Sequence, residues 1–185
     1  MDELKRCPWP GSDPLMVRYH DEEWGVPLHD DRKLFEFMVL DAFQAGLSWS
    51  CVLKKRENFR MAFDNFEPAL IARYNENIVA ELLQDPGIIR NKTKLWATVA
   101  NARLFLEVQK EWGSFDAYIW QFTGGQTLQP RRQTESEIPA RSAESDAMSA
   151  ALKKLGFKFV GSTICYAFMQ AAGMVNDHLE GCFRH

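Results

Sequence analysis

The chain carries a pair of metal-ligating side chains at each end: Cys7 and His20 near the start, His178 and Cys182 near the finish. Thiolate and neutral imidazole are the preferred ligands of zinc, and a structural zinc site wants four of them in a tetrahedron. His178 and Cys182 are four apart, a spacing that a single bend or a helical turn could close, the helix putting both on one face. Cys7 and His20 are thirteen apart, across the turn-prone stretch Cys7-Pro8-Trp9-Pro10-Gly11-Ser12-Asp13-Pro14. A single ion on all four would oblige the two ends of the chain to meet. Two ordinary buried cysteines and two unrelated histidines are the competing reading, because neither half is a dense Cys-x-x-Cys pair.

A chain of 185 residues suits one domain, in two lobes at most, with enough length to bury a sizeable core. The apolar fraction of 46% and aromatic fraction of 12% belong to folded rather than disordered chains. No run of about 18 apolar residues occurs and no basic-then-apolar leader precedes Cys7, so a soluble, cytoplasmic protein is expected. In that compartment Cys7, Cys51, Cys165 and Cys182 are expected as free thiols or metal ligands rather than disulfides. The net charge of −3 gives no help to nucleic-acid binding. Distribution matters more: basic residues gather in Lys54-Lys55-Arg56 with Arg60, in Arg90-Lys92-Lys94, and in Lys153-Lys154 with Lys158. Each cluster is either a solvated helix face or part of a local phosphate-binding surface.

The apolar spacing is helical nearly throughout and predicts an all-α fold. Leu34, Phe37, Met38, Asp41 and Ala45 share one helical face after the capping candidates Asp30 and Asp31. Ile78, Leu82 and Leu83 mark a shorter helix ending before Asp85-Pro86-Gly87, and Leu95, Val99, Ala102 and Leu106 a long one after it. Met148 to Leu155 form a helix stopped by Gly156, and Ile164 to Ala171 one stopped by Gly173. The only strand candidate is Phe157–Val160, and Gly124 to Arg141 reads as a long exposed loop.

Three constellations can carry chemistry. Asp41 sits on the apolar face of its helix, where an ionised carboxylate is costly without a cation or several donors. Either it caps a neighbouring helix or bonds an amide near Gly46, or it is a pocket carboxylate awaiting a polar or cationic ligand. Trp9, Tyr19, Trp24 and Trp49 lie within the same Gly- and Pro-containing span, beside Gln44-Ala45-Gly46-Leu47-Ser48-Trp49, which favours pocket lining over plain core. The second constellation is Leu82 to Lys94: helix, Gly-containing hairpin, and a helix that opens on basic residues. Amides at Gly87, Ile88 and Ile89 and the second helix N-terminus can bind a phosphate, with Lys92 and Lys94 close by. The same layout also occurs in ordinary helical bundles. The third is Gly161-Ser162-Thr163 before the last helix, a phosphate cradle or simply a cap by Ser162 or Thr163.

Taken together these segments resemble the bacterial DNA-3-methyladenine glycosylase I family. The resemblance is carried by Tyr19-His20-Asp21-Glu22-Glu23-Trp24-Gly25-Val26-Pro27, by Gln44 to Trp49 with Lys54-Lys55-Arg56-Glu57, by Gly87-Ile88-Ile89-Arg90, by Leu155 to Gly161 and by Asn176-Asp177-His178. It implies a helix-hairpin-helix DNA glycosylase fold with one structural zinc clasping the N- and C-terminal segments through Cys7, His20, His178 and Cys182. It places the base-pocket aromatics at Trp9, Tyr19 and Trp49, and the DNA-contacting hairpin around Gly87, Ile88, Ile89, Arg90 and Lys92. A wedge into the vacated base stack is expected at Gly46-Leu47. Where the family's best-known members have Glu in the pocket, this chain has Asp41, the same charge on a side chain about 1.5 Å shorter.

The implied activity is hydrolysis of the N-glycosidic bond of 3-methyladenine in alkylated double-stranded DNA, with free 3-methyladenine as product. The base must first be flipped from the duplex. Its positive charge suits stacking on Trp49 and Tyr19. Asp41, the one candidate catalytic residue, can accept from the exocyclic amine. An interaction strongest with a cationic ground state does not by itself speed bond cleavage, so its main assignment is recognition. No acidic residue lies between Ile88 and Glu107 and no Lys sits in an apolar nucleophile setting, so monofunctional hydrolysis without lyase activity is expected. A monomer that does not engage membranes is expected. The rivals are a zinc hydrolase using Cys7, His20 and His178 with a water, disfavoured because four protein ligands leave no open position, and a non-catalytic binder of alkylated DNA or modified purines.

Overall fold

The structure, a computed structural model, describes residues 4–185 and has ten α-helices among them. They are α1 (Pro14–Glu22), α2 (Asp31–Gln44), α3 (Trp49–Lys54), α4 (Arg56–Ala62), α5 (Pro68–Ile71), α6 (Glu76–Leu82), α7 (Lys92–Trp112), α8 (Phe115–Trp120), α9 (Ala143–Leu155) and α10 (Ser162–Ala171). The helix starts follow local chemistry. The Asp30 carboxylate accepts from the Lys33 amide at 2.9 Å and Asn91 caps α7 by accepting from the Lys94 amide at 3.1 Å. Asp31 works elsewhere than in its own cap: it accepts from the amides of Phe115 and Asp116, both at 2.8 Å, and so ties α8 to α2. Gly156 ends α9 in the left-handed region, the C-terminal stop its position in the sequence predicts.

Residues 34 to 43 of α2 are all buried, so this helix is the axis around which the others pack. One aromatic cluster joins Phe43, Phe59, Phe63 and Phe66, and a second joins Phe35, Phe105 and Phe115. α10 packs on α2 and α9, while α3 packs on α1 and α2. The middle of α1, the C-terminal end of α2, the start of α3 and the C-terminal half of α10 are thereby brought to one place.

The all-α expectation holds, with one correction. Phe157–Val160 is not a strand: Phe159 has φ +56°, which breaks the extended run, and the Asn101 side chain holds the turn through the Lys158 amide (2.8 Å) and carbonyl (2.9 Å). The segment from Gly124 to Arg141 is a loop for the most part, yet its start is fastened. Leu128 pairs with Val175 in an isolated bridge, and the Thr127 hydroxyl donates to the Gly173 carbonyl at 2.7 Å. Gly173 cannot carry a side chain, since a Cβ there would lie 2.1 Å from the Val26 carbonyl carbon. The segment after α1 therefore runs directly against the end of α10. Among the described residues no helix is long and apolar enough to cross a membrane.

Candidate base pocket and metal clasp

Cys7, His20, His178 and Cys182 converge in the interior, their four ligand atoms all within 4.8 Å of one another. Of the two routes the spacing allows, a bend or a helical turn, the structure uses the bend. After α10 the chain is irregular, so His178 and Cys182 do not share a helix; a turn closed by the Cys182 amide donating to the Leu179 carbonyl at 2.7 Å joins them instead. The Cys182 sulfur lies 3.5 Å from His20 Nε2 and 3.5 Å from His178 Nδ1, and the Cys7 sulfur 3.7 Å from His178 Nδ1. A tetrahedral zinc with bonds of about 2.3 Å to sulfur and 2.0–2.1 Å to nitrogen sets sulfur and nitrogen about 3.5–3.6 Å apart, so the donor set fits such an ion.

The surroundings fix which nitrogen can ligate. His20 Nδ1 is 2.7 Å from Asp21 Oδ1, and His178 Nε2 is 2.9 Å from the Trp24 carbonyl. Both partners only accept, so each ring donates there and turns the lone pair of its other nitrogen toward the sulfurs. Asp21 is held in turn by the Arg6 guanidinium at 2.7 Å. With no cation, burial pushes the Cys7 thiol up to about 12 and His178 down to about 4, and burial lowers His20 too. Neutral imidazoles are ready ligands; the Cys7 thiol needs a cation to ionise.

Beside the clasp is a cavity of about 180 Å³ lined by Trp9, Met16, Tyr19, Trp24, Asp41, Gln44, Trp49, Ala167 and Gln170. An apolar cavity of about 150 Å³ holds a benzene, so this one, open at its mouth, is on the scale of a single aromatic base. Its walls are aromatic: Tyr19 and Trp49 have centroids 5.1 Å apart, and Trp9 meets Trp24 edge-on at 5.1 Å. Asp41 is only 3% exposed, and nothing in the protein bonds its Oδ2; the indole N–H groups of Trp9 and Trp49 are buried without partners as well. The two local roles open to Asp41, a helix cap or a bond to an amide near Gly46, are not taken. Burial drives its carboxyl well above the usual range, and the Arg56 guanidinium offsets only part of this. Burial, then the charges of Asp41 and Glu23, likewise hold Tyr19 as a neutral phenol.

A second opening beside Asp41 and Gln44 is lined by Ala45, Gly46, Leu47, Thr163, Ile164 and Ala167. Gly46 takes φ +83°, and Leu47 stands 43% exposed at this rim, an apolar tip held out to solvent. The basic clusters divide: Lys55, Arg56, Arg60 and Lys94 turn to partners within the protein, while Lys153, Lys154 and Lys158 are exposed. The Lys94 ammonium is buried and donates to the carbonyls of Phe43 (2.9 Å) and Ala45 (2.7 Å), closing the end of α2 rather than facing a phosphate. Lys55 donates to the Pro86 carbonyl at 2.8 Å, and Lys54 pairs with Asp13. Arg56 and Arg60 both bind Glu36, and Arg56 also binds Glu23. In the α6–α7 turn, the Gly87 amide is taken by Asp85 Oδ1 at 2.7 Å, and Ile88 is core. Ile89 is half-buried, while Arg90 and Lys92 are exposed. At α10 the cap residue is Gly161, and neither Ser162 nor Thr163 caps the helix through its side chain.

Comparison with known proteins agrees with this geometry. The family model for methyladenine glycosylase matches residues 9–185. The chain belongs to the methyladenine glycosylase family. It is 51% identical over 179 residues to DNA-3-methyladenine glycosylase 1 of Escherichia coli strain K12, covering 97% of this chain and 96% of that protein. It superposes with a TM-score of 0.95 on a crystal structure of 3-methyladenine DNA glycosylase I, at 51% identity, over 98% of this chain and all (100%) of the other. A tyrosine-to-phenylalanine variant of a 3-methyladenine DNA glycosylase I in complex with 3-methyladenine superposes at 0.94 with 32% identity, covering 97% of this chain and 96% of that one.

Sequence reading missed three residues lining this glycosylase cavity, Met16, Ala167 and Gln170, and named Gln44 only as part of the segment after Asp41. A signal existed for two. Ala167 lies on the helical face that Ile164 and Phe168 mark, and Gln170 follows it by three residues. Lys94 gave none, because its partners lie 51 and 49 residues away.

Proposed function

We propose that the protein is a base-excision repair glycosylase that hydrolyses the N-glycosidic bond of 3-methyladenine in alkylated double-stranded DNA, with no lyase activity. The observation that carries this is the buried, unpartnered carboxylate of Asp41 within a base-sized aromatic cavity. A neutral base gives that group no counter-charge, and burial favours its protonated form. A cationic base carrying an exocyclic amine offers it both a counter-charge and a donor, while Tyr19 and Trp49 present π faces to the same charge.

Positive charge on the alkylated base already weakens its glycosidic bond, so the demand on the protein is to select, flip and hold it. Asp41 accepts from the amine and favours the cation over ordinary adenine, with one methylene less reach than the family's Glu. Leu47, on the Gly46 turn at the cavity rim, is placed to fill the gap the flipped base leaves. The α6–α7 hairpin supports a helix-hairpin-helix reading, with the Ile88 and Ile89 backbone, Arg90 and Lys92 on the phosphate side. The Gly87 amide, held by Asp85, shapes the turn and leaves the contact to its neighbours.

Cys7, His20, His178 and Cys182 would hold one zinc, whose closed ligand set supplies a fixed junction between the two ends rather than a reactive water. The clasp meets the cavity wall through Trp24, whose ring lies 4.6 Å from His178 and 5.1 Å from Trp9, and directly through His20, whose ring lies 5.3 Å from Trp9. We read the chain as a single two-lobed domain acting as a monomer.

The test is release of 3-methyladenine from dimethylsulfate-treated DNA by wild type, Asp41→Asn and Asp41→Glu. Release by wild type and Asp41→Glu, with a loss of about a hundredfold in Asp41→Asn, is expected. Failure of all three to release the base, with tight binding to the alkylated DNA, would replace this reading by that of a non-catalytic binding protein.

A further inference from the structure

Gln170 and Asp177 form an arrangement the activity above does not use. Gln170 lines the same cavity as Asp41, from α10, which packs directly on α2. Its Nε2 donates to Asp177 Oδ2 at 2.8 Å, and that oxygen also accepts from the Tyr166 hydroxyl at 2.6 Å. Asp177 is fully buried, at 0% exposure. A carboxylate can only accept, so the Gln170 amide has one orientation here: its NH₂ to Asp177, leaving the carbonyl oxygen Oε1 as the polar atom it can offer the cavity.

An exocyclic amine carries two N–H bonds and needs two acceptors when buried. We propose that Gln170 is a specificity-determining residue, its Oε1 the second acceptor for the amine of a flipped adenine-type base, and that Asp177 is the positioning residue that fixes this choice. The inference rests on the base-excision reading of the cavity. A 6-oxo purine would set its own oxygen against two acceptors, so the pair discriminates against 3-methylguanine as well as binding 3-methyladenine. Discrimination of this kind is large because a mismatched partner leaves buried polar groups unpaired. Free rotation of the amide would remove it, since an NH₂ turned inward would welcome the oxo group.

The experiment measures kcat/KM for release of 3-methyladenine and of 3-methylguanine from the same dimethylsulfate-treated DNA by wild type, Gln170→Leu and Asp177→Asn. It also measures binding of free 3-methyladenine and 3-methylhypoxanthine by tryptophan quenching. Gln170→Leu is expected to lose about tenfold on 3-methyladenine and nothing on 3-methylguanine, so that their ratio falls about tenfold. Asp177→Asn, which frees the amide to turn, should lower the ratio about threefold. The free-base preference for 3-methyladenine should narrow in both variants. An equal loss on both lesions in Gln170→Leu would mark the residue as structural support and overturn the proposal, as would an unchanged ratio. Should Asp177→Asn fail to fold because it adjoins His178, Gln170→Leu and the free-base pair decide alone. A wild type that releases no 3-methyladenine sinks the underlying reading. A wild type that does, with an unmoved ratio in Gln170→Leu, sinks only this inference.

Discussion

The clasp and the cavity are neighbours built from similar materials, buried polar groups among aromatic rings, yet their hydrogen bonding is opposite. At the clasp the groups around the four ligands are occupied: Asp21 takes His20, the Trp24 carbonyl takes His178, and the amides of Leu179 and Arg184 face the sulfurs of Cys7 and Cys182 at 3.4 Å and 3.5 Å. At the cavity Asp41 Oδ2 and the indoles of Trp9 and Trp49 have no partner. A site whose supporting bonds are complete is organised for a resident. A site with buried, unmatched donors and acceptors costs stability until a visitor arrives, and so selects for the visitor that matches them.

The comparison is broken most forcefully at the clasp. Cys182→Ala removes one ligand and leaves three buried polar groups around an incomplete site. Bound metal should be lost, and the melting temperature should drop by roughly 10 °C, at about 2–4 °C per kcal/mol for a chain of this size. Metal analysis alongside calorimetry checks this. An unchanged melting temperature in a metal-free variant would remove the clasp from the stability of the fold.

At the cavity the sign reverses. Asp41→Asn should lose about a hundredfold in activity while the free protein becomes more stable as pH rises above the unfolded carboxyl value. Burial raises the Asp41 carboxyl well above its unfolded value, so the folded state holds its proton to higher pH than the unfolded one. Stability from this group therefore falls as pH rises from about 3.9, the unfolded value, through the folded one, and Asn removes that loss. Capture of a cationic base runs the other way: it needs the carboxylate, so kcat/KM for wild type should climb as pH rises through the Asp41 ionisation. Asp41→Asn should lack that limb. Melting curves and a pH–rate profile test the two signs separately, and a less stable Asp41→Asn would mean the carboxylate has a partner within the protein.

These contrasts also mark what the sequence could tell. The helices were legible because burial on one face writes a 3.6-residue period into the chain, and Asp41 stood out as the polar residue on an apolar face. The clasp residues were legible by type, but their geometry was not. A turn at Leu179, rather than a helix, brings His178 to Cys182, and one four-residue spacing is compatible with both. The inward turn of Lys94, Arg56 and Arg60 was illegible for a plainer reason. Their partners are contacts across tens of residues, and a basic run looks the same whether it faces phosphate or a buried glutamate. Phe159 hid its positive φ for the same cause, since the Asn101 side chain that holds its turn lies in another helix.

A smaller effect is expected one bond further from the four candidate ligands. Asp21→Ala leaves all four ligands but frees the His20 ring, and loss of such a partner lowers metal affinity about 10- to 100-fold. With zinc in excess the activity should stay near wild type, which a chelator competition and a release assay on one preparation would show. A large activity loss at full metal occupancy would mean that Asp21 serves the cavity directly.

The smallest expected effect asks whether the two regions are one device. The Trp24 ring stands between His178 and Trp9, and it also lines the cavity. Its backbone carbonyl, not its ring, accepts from His178, so Trp24→Leu keeps that bond while removing the aromatic bridge. Each aromatic pair contributes about 0.5–1.5 kcal/mol beyond its buried area. Free 3-methyladenine should then bind roughly threefold to tenfold more weakly with metal content unchanged, because Trp9 loses the ring that backs it. If metal is lost in step with base affinity, the clasp and the cavity are one cooperative unit and the division between resident and visitor sites fails. If metal stays and binding weakens, the two sites are separable: Trp24 backs Trp9 by packing, while the direct contact of His20 with Trp9, at 5.3 Å, still ties the clasp to the cavity wall.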